Sequence, residues 1–546
     1  MKHPKTLLGP LCGPLSGAVL VSLLVAGCAT APAYQRPATA IPASYKEAAP
    51  TNENWTLAQP ADASARGEWW LAFNDSTLNG LEQEAFAANQ SLKAAAARLG
   101  QARALERTAR AALSPQVNVG LGPTRQQASP AAQNLPANAD THPQTLWRGQ
   151  ASFAYEVDLF GRLSSAADAA RFDTERDEAL FRSTLLALQA DVAQAYFLIR
   201  ELDGVRALYA DTVKLRQETL HLSERRFAAG DIGEQELSRT RTELAAAEAE
   251  ADGVARQRAV AEHALAILLG KTPAEFSLPA QPIARLTLDI PAGLPSTLLE
   301  RRPDIAAAER GMAAANERIG EARAAYFPRL NLTGGIGYEA ATYGNLFKSA
   351  SQTFVLGPLV GTMLSLPLFD GGAREAGVAR ANAAHEEAVA NYRQSILQAF
   401  KEVEDNLAHL RLLHGQNAAQ DRAVAAATRA ARLSHIQYRE GAISYLHVID
   451  ADRSVLQQQL AAVTLDGERA RATVNLIRAL GGGWAGADST RYEQRRMWAC
   501  RHQHGPRIGR VTLSRPLPSP TTPSALALPP PRLPPGRLAS SLHALL

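Results

Sequence analysis

The side chains best suited to chemistry in this chain are its cysteines and a Cys/His group near the C-terminus. Cys500, His502 and His504 have the close spacing of metal ligands, but they lie in a segment unlike the rest of the chain. No Ser/His/Asp or Cys/His set lies in a motif context for nucleophilic catalysis. Gly481–Gly483 lacks the following Lys-Ser/Thr of a phosphate loop. The sequence therefore predicts no enzyme, no metal site and no bound cofactor.

Cys28 is different, because it closes an N-terminal targeting segment. Lys2 and Lys5 give a basic start, an apolar region follows, and the segment ends in L-V-A-G-C at Leu24–Cys28. This pentapeptide resembles a bacterial lipobox, so we expect a signal peptide over 1–27 and N-acyl and S-diacylglycerol lipid on Cys28. Ala29 is not the aspartate that retains lipoproteins at the inner membrane, which favours the outer membrane. An ordinary signal peptide with a chance cysteine is the alternative.

The rest of the chain is one arrangement written twice. Gly230 and Gly441 lie 211 residues apart, and so do Gly270 and Gly481. In each copy a strand leads into a long alanine-rich helix, a glycine turn and a returning helix. We expect an extended lipidated leader over 28–74, repeat 1 over 75–270, a linker over 271–295, repeat 2 over 296–484 and a tail over 485–546.

Helical periodicity predicts three helices in each repeat. They cover 75–112, 162–227 and 232–269 in repeat 1, and 296–326, 373–438 and 444–480 in repeat 2. The first long helix would be about 100 Å long at 1.5 Å per residue. It carries a coiled-coil seam of apolar residues at 3-4 spacing: Leu185, Leu188, Val192, Ala195, Ile199 and Leu202. By length, we expect 232–269 to stack end to end on 296–326, and 444–480 on 75–112.

Two pairs of strands show period-two alternation, at about 116–127 and 147–160 and again at about 329–340 and 354–369. Their length suits tilted strands that cross a bilayer, although soluble hairpins are the alternative. Four strands do not close a barrel, and an open edge is not tolerated in lipid. Copies of the chain must therefore complete it, and three copies would supply twelve strands. The strand count alone leaves other multiples open.

Composition excludes other classes. The net charge of +4 is near neutral and gives no sign of nucleic-acid binding. Beyond the N-terminus no run of 18 strongly apolar residues predicts a membrane-spanning helix. The tail holds ten prolines and nine arginines against Asp488 and Glu493, a composition that builds no core. We interpret it as a translated frameshift, with a disordered extension as the alternative.

Several motifs resemble one family. They are R-R-P-D-I-A-A-A-E at Arg301–Glu309, the stretch Ala315–Leu332, F-K-E-V-E-D-N-L at Phe400–Leu407 and E-V-D-L-F-G-R at Glu156–Arg162. The chain resembles the TolC-like outer membrane efflux proteins, most closely the lipidated OprM-type and NodT-type branch, over about residues 20–484. The resemblance implies a mainly α channel-tunnel with a small membrane β-barrel, formed by a homotrimer with four barrel strands per protomer and twelve in all.

The resemblance also implies a function and partners. We expect a passive, gated exit duct for small molecules such as drugs in a multidrug-resistance system. Its expected partners are a periplasmic membrane-fusion adaptor and an inner-membrane efflux pump, for which the RND type is favoured. The channel itself would lie in outer membrane lipid. A type I protein-secretion duct and a lipid-anchored coiled-coil adhesion protein are the alternatives.

In this family the periplasmic end closes just after the second turn, which here is Tyr438–Arg453. Leu446 and Asp450 match the hydrophobic and acidic rings that narrow the pore, and Arg453 matches a nearby basic residue. Leu446 and Asp450 are one helical turn apart, so both side chains can face the axis.

Two further features of this end bear on its selectivity and closure. His447 occupies a position where the TolC branch has a second aspartate, so the cation selectivity expected of a carboxylate ring stays open. Tyr438 belongs to the same candidate gate. Glu236 and Arg239, at the equivalent positions of repeat 1, are the expected partners of a latch.

Overall fold

The computed structural model describes residues 30–38, 42, 44–47, 68–285, 301–357 and 363–482. The helices within these ranges are α1 (Ser76–Ala88), α2 (Gln90–Ala111), α3 (Arg162–Ala228), α4 (Glu234–Leu268), α5 (Pro303–Ala324), α6 (Ala373–Arg439) and α7 (Tyr445–Ala479). The strands are β1 (Gln116–Gln126), β2 (Gln144–Val157), β3 (Arg329–Ala340), β4 (Gln352–Leu356) and β5 (Leu364–Ser365). Cys28 and the tail with Cys500 lie outside the described residues.

The two repeats have helices of matching length. α3 and α6 have 67 residues each, and α4 and α7 have 35 each. At 1.5 Å per residue these lengths are about 100 Å and about 52 Å. The apolar seam predicted on α3 is packed, since Val192 and Ile199 are fully buried and Leu185 lies against the same core. The predicted pairs of long and short helices are therefore confirmed.

Two of the predicted helices are interrupted by a residue with non-helical backbone angles. The helix predicted over 75–112 is interrupted at Asn89, whose ψ of 127° is not helical. The Asn89 side chain accepts a hydrogen bond from the Leu92 amide (2.9 Å) and so starts α2. The helix predicted over 296–326 is broken at Arg302, whose ψ of 119° is extended, and α5 begins at Pro303, because proline fits a first helical turn that needs no amide hydrogen. Residues 296–300 lie outside the described ranges.

The predicted end-to-end stacking of helices is wrong in its pairing, as the end of α4 shows. Asn89 Nδ2 donates to the Leu268 carbonyl at that end (2.9 Å). A Cβ on Gly270 would lie 2.7 Å from the Ala88 carbonyl oxygen, so the backbones touch there. α4 therefore meets the start of α2, within repeat 1, and not α5.

The end of α7 is arranged in the same way within repeat 2. Arg302 Nη1 donates to the Ala479 carbonyl (3.1 Å), and a Cβ on Gly481 would lie 2.9 Å from the Arg301 carbonyl group. α7 thus meets the start of α5. Helix length did not distinguish the two arrangements, because α2 and α5 both have 22 residues.

The strands form one antiparallel sheet in the order β1-β2-β3-β4, with β5 also paired to β3. The β2–β3 ladder joins the two repeats and runs from Trp147 opposite Ala340 to Val157 opposite Leu330. Within the described residues the strand predicted over 354–369 is present as β4 and β5, and 358–362 lie outside those residues. Pro367, just beyond β5, has no amide hydrogen to offer a ladder. Among the described residues β1 pairs only with β2 and β4 only with β3, so two edges are open.

The described part of the leader lies on the helices, as expected. Thr30 Oγ1 is 3.0 Å from the carbonyl oxygens of both Phe160 and Gly320, beside the start of α3 and on α5. Farther along, Arg36 donates to buried Glu309 (2.5 Å) and to the Tyr392 hydroxyl (3.1 Å). The leader therefore connects the strand end of the molecule with α5 and α6.

Candidate gate at the helical turns

Each repeat turns at a glycine between its long helix and its return helix. Gly230 has φ 80° and Gly441 has φ 72°, a left-handed conformation that only glycine adopts without strain. The helix ends close in the same way, with amide-to-carbonyl hydrogen bonds from Asp231 to Arg226 (2.9 Å) and from Ala442 to Gln437 (2.8 Å). The two turns have one backbone design, so any difference between them comes from side chains.

Leu446 and Asp450 lie on the exposed face of α7, in its first two turns. Leu446 is 43% exposed and the Asp450 side chain is 61% exposed. Their neighbours Tyr445, Val448 and Ile449 are buried against the adjacent helices. α7 is thus anchored by one face and presents an apolar and an acidic side chain, one turn apart, on the other.

Arg453 connects this exposed face to repeat 1. Its guanidinium donates twice to Glu243 of α4, through Nε (3.1 Å) and Nη2, and lies 4.0 Å from Asp450. The hydrogen bonds to Glu243 raise the pKa of Arg453, so the guanidinium stays charged. A bidentate Arg–carboxylate pair fixes geometry as well as charge, and here it fixes α7 against α4.

Glu236 and Arg239, the expected latch residues, are not brought to Arg453 within the chain. Both lie in the first turns of α4, Arg239 is exposed, and the described residues include no ion pair for either. The partner that sequence reasoning missed is Glu243, one to two turns farther along α4. With the repeat spacing of 211, Arg453 corresponds to position 242 of repeat 1. Glu243 is the next residue, so the spacing could have indicated it as the partner.

His447 makes a local contact. Its Nδ1 lies 3.1 Å from Oγ of Ser444, the residue that precedes the first turn of α7. The imidazole is exposed and the contact belongs to the helix start. His447 is therefore positioned by its own turn and by no residue of repeat 1 among those described.

Tyr438 joins the ends of the two long helices. Its hydroxyl accepts a hydrogen bond from Arg226 of α3, and its ring lies 5.3 Å from the ring of Tyr445. Burial raises the pKa of the Tyr445 phenol, which stays neutral beside it. Tyr438, Arg226 and Tyr445 thus tie α3, α6 and α7 together just above the turns.

Two negative findings apply to the described part of the chain. None of its helices is both long and apolar enough to cross a membrane. None of its His, Cys, Asp and Glu side chains forms a group of three or more able to hold a metal ion. Cys500, His502 and His504 lie outside the described ranges, so the second finding does not extend to them.

Comparison with known proteins assigns a context to this geometry. A family model described as outer membrane efflux protein matches residues 81–271 and 294–482, which is nearly all of both repeats. Outer membrane protein OprJ of Pseudomonas aeruginosa is 35% identical over 473 residues, 86% of this chain and 95% of OprJ. The cation efflux system protein CusC of Escherichia coli K12 is 32% identical over 466 residues, 85% of this chain and 98% of CusC.

Solved structures agree. The outer-membrane channel OprN has a TM-score of 0.75 at 29% identity, over 84% of this chain and all of OprN. The open state of the MtrE outer membrane channel of Neisseria gonorrhoeae has a TM-score of 0.71 at 28% identity, over 84% of this chain and 98% of MtrE. The fold of this chain is therefore that of an outer membrane channel.

Proposed function

Because the chain belongs to the outer membrane efflux protein family, we propose how its anchor, its barrel and its gate act together. The protein is an outer membrane efflux channel with a periplasmic helical tunnel. The observation that carries this function is the match over both repeats, joined to two helices long enough to reach about 100 Å into the periplasm. In this role the chain is a passive duct and catalyses no reaction.

The barrel is completed by a homotrimer. The sheet leaves β1 and the β4–β5 side open, and an open edge in lipid leaves backbone groups without hydrogen bonds. Three copies supply twelve strands, with β4 and β5 counted as one, which is an even number within the known range. Heat-modifiable migration of a trimer extracted from outer membranes is the expected result, and a monomer that migrates identically with and without heating would contradict it.

We propose a lipid anchor on Cys28, at the start of the leader. Thr30, two residues after Cys28, lies against Phe160 at the junction of β2 and α3. The proposed lipid on Cys28 and the strands would anchor the protein in the same membrane, and the two hydrophobic attachments would reinforce each other. Cys28→Ser is expected to abolish labelling with radioactive palmitate. Ala29→Ser, which keeps Cys28, is the matched control and is expected to be labelled.

The partners and cargo follow from the family. We propose a periplasmic membrane-fusion adaptor and an inner-membrane pump of the RND type, with small molecules or ions as cargo. Named relatives support this range, since they include a toluene efflux pump protein and a cation efflux system protein. The protein-secretion and adhesion alternatives have no such support among them.

The channel closes at the start of α7. Leu446 forms an apolar ring and Asp450 an acidic ring where three copies meet, and Arg453 holds α7 in place through Glu243. Tyr438 contacts Arg226 at the same end, and His447 adds an exposed imidazole next to Leu446 in the chain. We propose that Glu236 and Arg239, which have no ion pair among the described residues, help to close the channel through a pair with a neighbouring copy.

The gate is tested by single-channel conductance in planar bilayers. Leu446→Ala combined with Asp450→Ala is expected to raise conductance, because both rings lose their narrowing side chains. Leu222→Ala is the matched control, since Leu222 is similarly exposed, at 45%, but lies on α3. A double variant with unchanged conductance would remove Leu446 and Asp450 from the gate.

The efflux function is tested in the cell. Deletion of the gene is expected to increase sensitivity to small toxic compounds, and the wild-type gene is expected to restore resistance. A deletion strain with unchanged sensitivity to a broad panel of drugs, solvents and metal salts, but with a secretion defect, would favour the protein-secretion duct.

A further inference from the structure

Arg216 is a buried cation close to the tip that the candidate gate does not explain. It lies on α3, twelve residues before that helix ends at Ala228, or about 18 Å from the turn by helical rise. The residue is 3% exposed. A guanidinium so far from water needs opposite charge around it, since burial of an isolated charge is costly.

Two carboxylates from two other helices supply that charge. Arg216 Nη2 lies 3.8 Å from Glu243 of α4, and Nη1 lies 3.9 Å from Asp452 of α7. Both carboxylate side chains are only 12% exposed. Nη1 has no hydrogen-bond partner among the described residues, so its link to Asp452 is one of charge alone.

Each carboxylate also has a second partner, nearer the surface. Glu243 accepts the two hydrogen bonds from Arg453, and Asp452 lies 2.9 Å from Nε2 of His435 on α6. The contacts therefore form one series, from His435 of α6 to Asp452 of α7, Arg216 of α3 and Glu243 of α4. The series ends at Arg453 of α7. Arg216 is the buried arginine in this series, and it lies within 4 Å of carboxylates of both return helices.

The consequence of this arrangement is electrostatic. Without the Arg216 charge, Glu243 would keep Arg453 and Asp452 would keep only His435, and no cation would separate the two mostly buried carboxylates. Like charges in a poorly hydrated interior repel strongly, and one partner removed from a buried ion pair costs far more than a surface pair. That repulsion acts between α4 and α7, the two helices that Arg453 joins.

We propose that Arg216 is a positioning residue for the gate, which holds α4 of repeat 1 against α7 of repeat 2 from behind. This inference rests on the gate proposed above, because it assigns to Arg216 the setting of the Arg453–Glu243 pair. Arg216 itself does not narrow the pore, since it is buried among helices. Its loss frees α7 to move away from α4 and so opens the channel.

The test is single-channel conductance of Arg216→Met, with trimer formation checked by heat-modifiable migration. We expect conductance to rise several-fold. Arg216→Lys keeps the charge and is expected to stay near the wild-type value. Arg258→Met is the matched control, because Arg258 of α4 is also buried and also holds two carboxylates, Asp203 (2.6 Å) and Glu262 (2.9 Å).

Arg258 lies fifteen residues farther along α4 than Glu243, or about 22 Å from it. Its loss is expected to lower thermal stability as the loss of Arg216 does, but to leave conductance unchanged. Wild-type conductance in a folded Arg216→Met trimer would overturn the proposal. An equal rise in Arg258→Met would also overturn it, since opening would then reflect general destabilisation.

A second measurement covers the case in which Arg216→Met does not assemble. Glu243→Gln and Asp452→Asn each leave Arg216 one carboxylate, whereas the double variant leaves it none. Because either single variant already breaks the link between α4 and α7, the rise in conductance of the double variant is expected to fall below the product of the two single rises, and independent effects would refute the role of Arg216. Should the Leu446/Asp450 double variant open the channel while these variants do not, only the role of Arg216 fails. If none of them opens it, the gate lies elsewhere and both proposals fail.

Discussion

The junctions at which α4 and α7 end show how the two repeats differ within one backbone plan. In repeat 1 the neutral Asn89 donates to the Leu268 carbonyl. In repeat 2 the charged Arg302 donates to the Ala479 carbonyl, 211 residues after Leu268. The same orphan carbonyl of a helix end is satisfied in both, once by an amide and once by a guanidinium.

The guanidinium brings additional connections. Arg302 also binds Asp304 (2.6 Å) and Glu402 of α6 (2.6 Å), so the repeat 2 junction is tied to a third helix. Burial lowers the pKa of Arg302, but the hydrogen bond and charge of Asp304 and then of Glu402 outweigh it, and the net shift is upward. Duplication therefore kept the backbone contact and changed the chemistry around it.

Both junctions have a close backbone contact at a glycine, and substitutions of these glycines are expected to have the largest effect. Gly270→Ala and Gly481→Ala should each lower the free energy of unfolding by about 2–5 kcal/mol. Of this, left-handed strain contributes about 1–2 kcal/mol and overpacking about 1–3 kcal/mol. The reason is the same in both, since the new Cβ meets backbone atoms of Ala88 or Arg301 at under 3 Å. Thermal or denaturant unfolding followed by circular dichroism measures it.

Glycines at the turns provide the control. Gly230 and Gly441 also have positive φ, but no atom lies within 4 Å of the place that a Cβ would take, so their alanine variants should lose only the strain of about 1–2 kcal/mol. If Gly270→Ala were tolerated while Gly481→Ala was not, the two junctions would not share the close backbone contact.

The differing part of the comparison is expected to give a smaller, unequal effect. Arg302→Ala should cost about 3 kcal/mol, the lower end of the range for a broken buried pair, because Asp304 and Glu402 are more than a third exposed and water screens them. Asn89→Ala should cost about 1–2 kcal/mol for a lost cap. Unfolding measurements on both variants test this difference. Equal losses in the free energy of unfolding would mean that the charge of Arg302 adds no stability.

Much of this fold could be predicted from the sequence, because helix length and repeat spacing are local properties of the chain. The limits of α3 follow from the strand end at Val157 and the turn glycine Gly230, and the cap at Asp75 follows from residue type. The stacking of α4 on α2 could not be predicted, since α2 and α5 have equal lengths and only tertiary contacts separate them.

The candidate gate, too, could be predicted from the sequence only in part. Leu446 and Asp450 were predicted, and their exposure on one face of α7 agrees with helical spacing. Glu243 and Arg216 were not predicted, because they are far from Arg453 in sequence and their types are common on helices. Whether a charged residue is solvated or buried depends on which helix packs over it, and periodicity does not specify that for a helix with several neighbours.

The two repeats also differ near their helical turns, at Arg453 and Arg239. Substitutions there should have the smallest effect of those considered. Arg453 of repeat 2 is paired with Glu243, whereas Arg239 of repeat 1 is exposed and has no described ion pair within the chain. The Arg453 side chain is 60% exposed, so its pair is worth about 0.2–1 kcal/mol. Arg453→Gln should then raise the ratio of open to closed channels by at most about fivefold, since 1.4 kcal/mol corresponds to about tenfold.

Arg239→Gln is expected to change this ratio less, unless Arg239 pairs with a neighbouring copy as proposed. Planar-bilayer recordings at two salt concentrations separate these cases. Salt screens exposed ion pairs, so an inter-subunit pair at Arg239 would make the wild-type channel open more readily at high salt and would make Arg239→Gln less sensitive to salt than the wild type. An Arg239→Gln channel that responds to salt as the wild type does would leave the latch with Arg453 and Glu243 alone, and the tips of the two repeats would then differ as their junctions do.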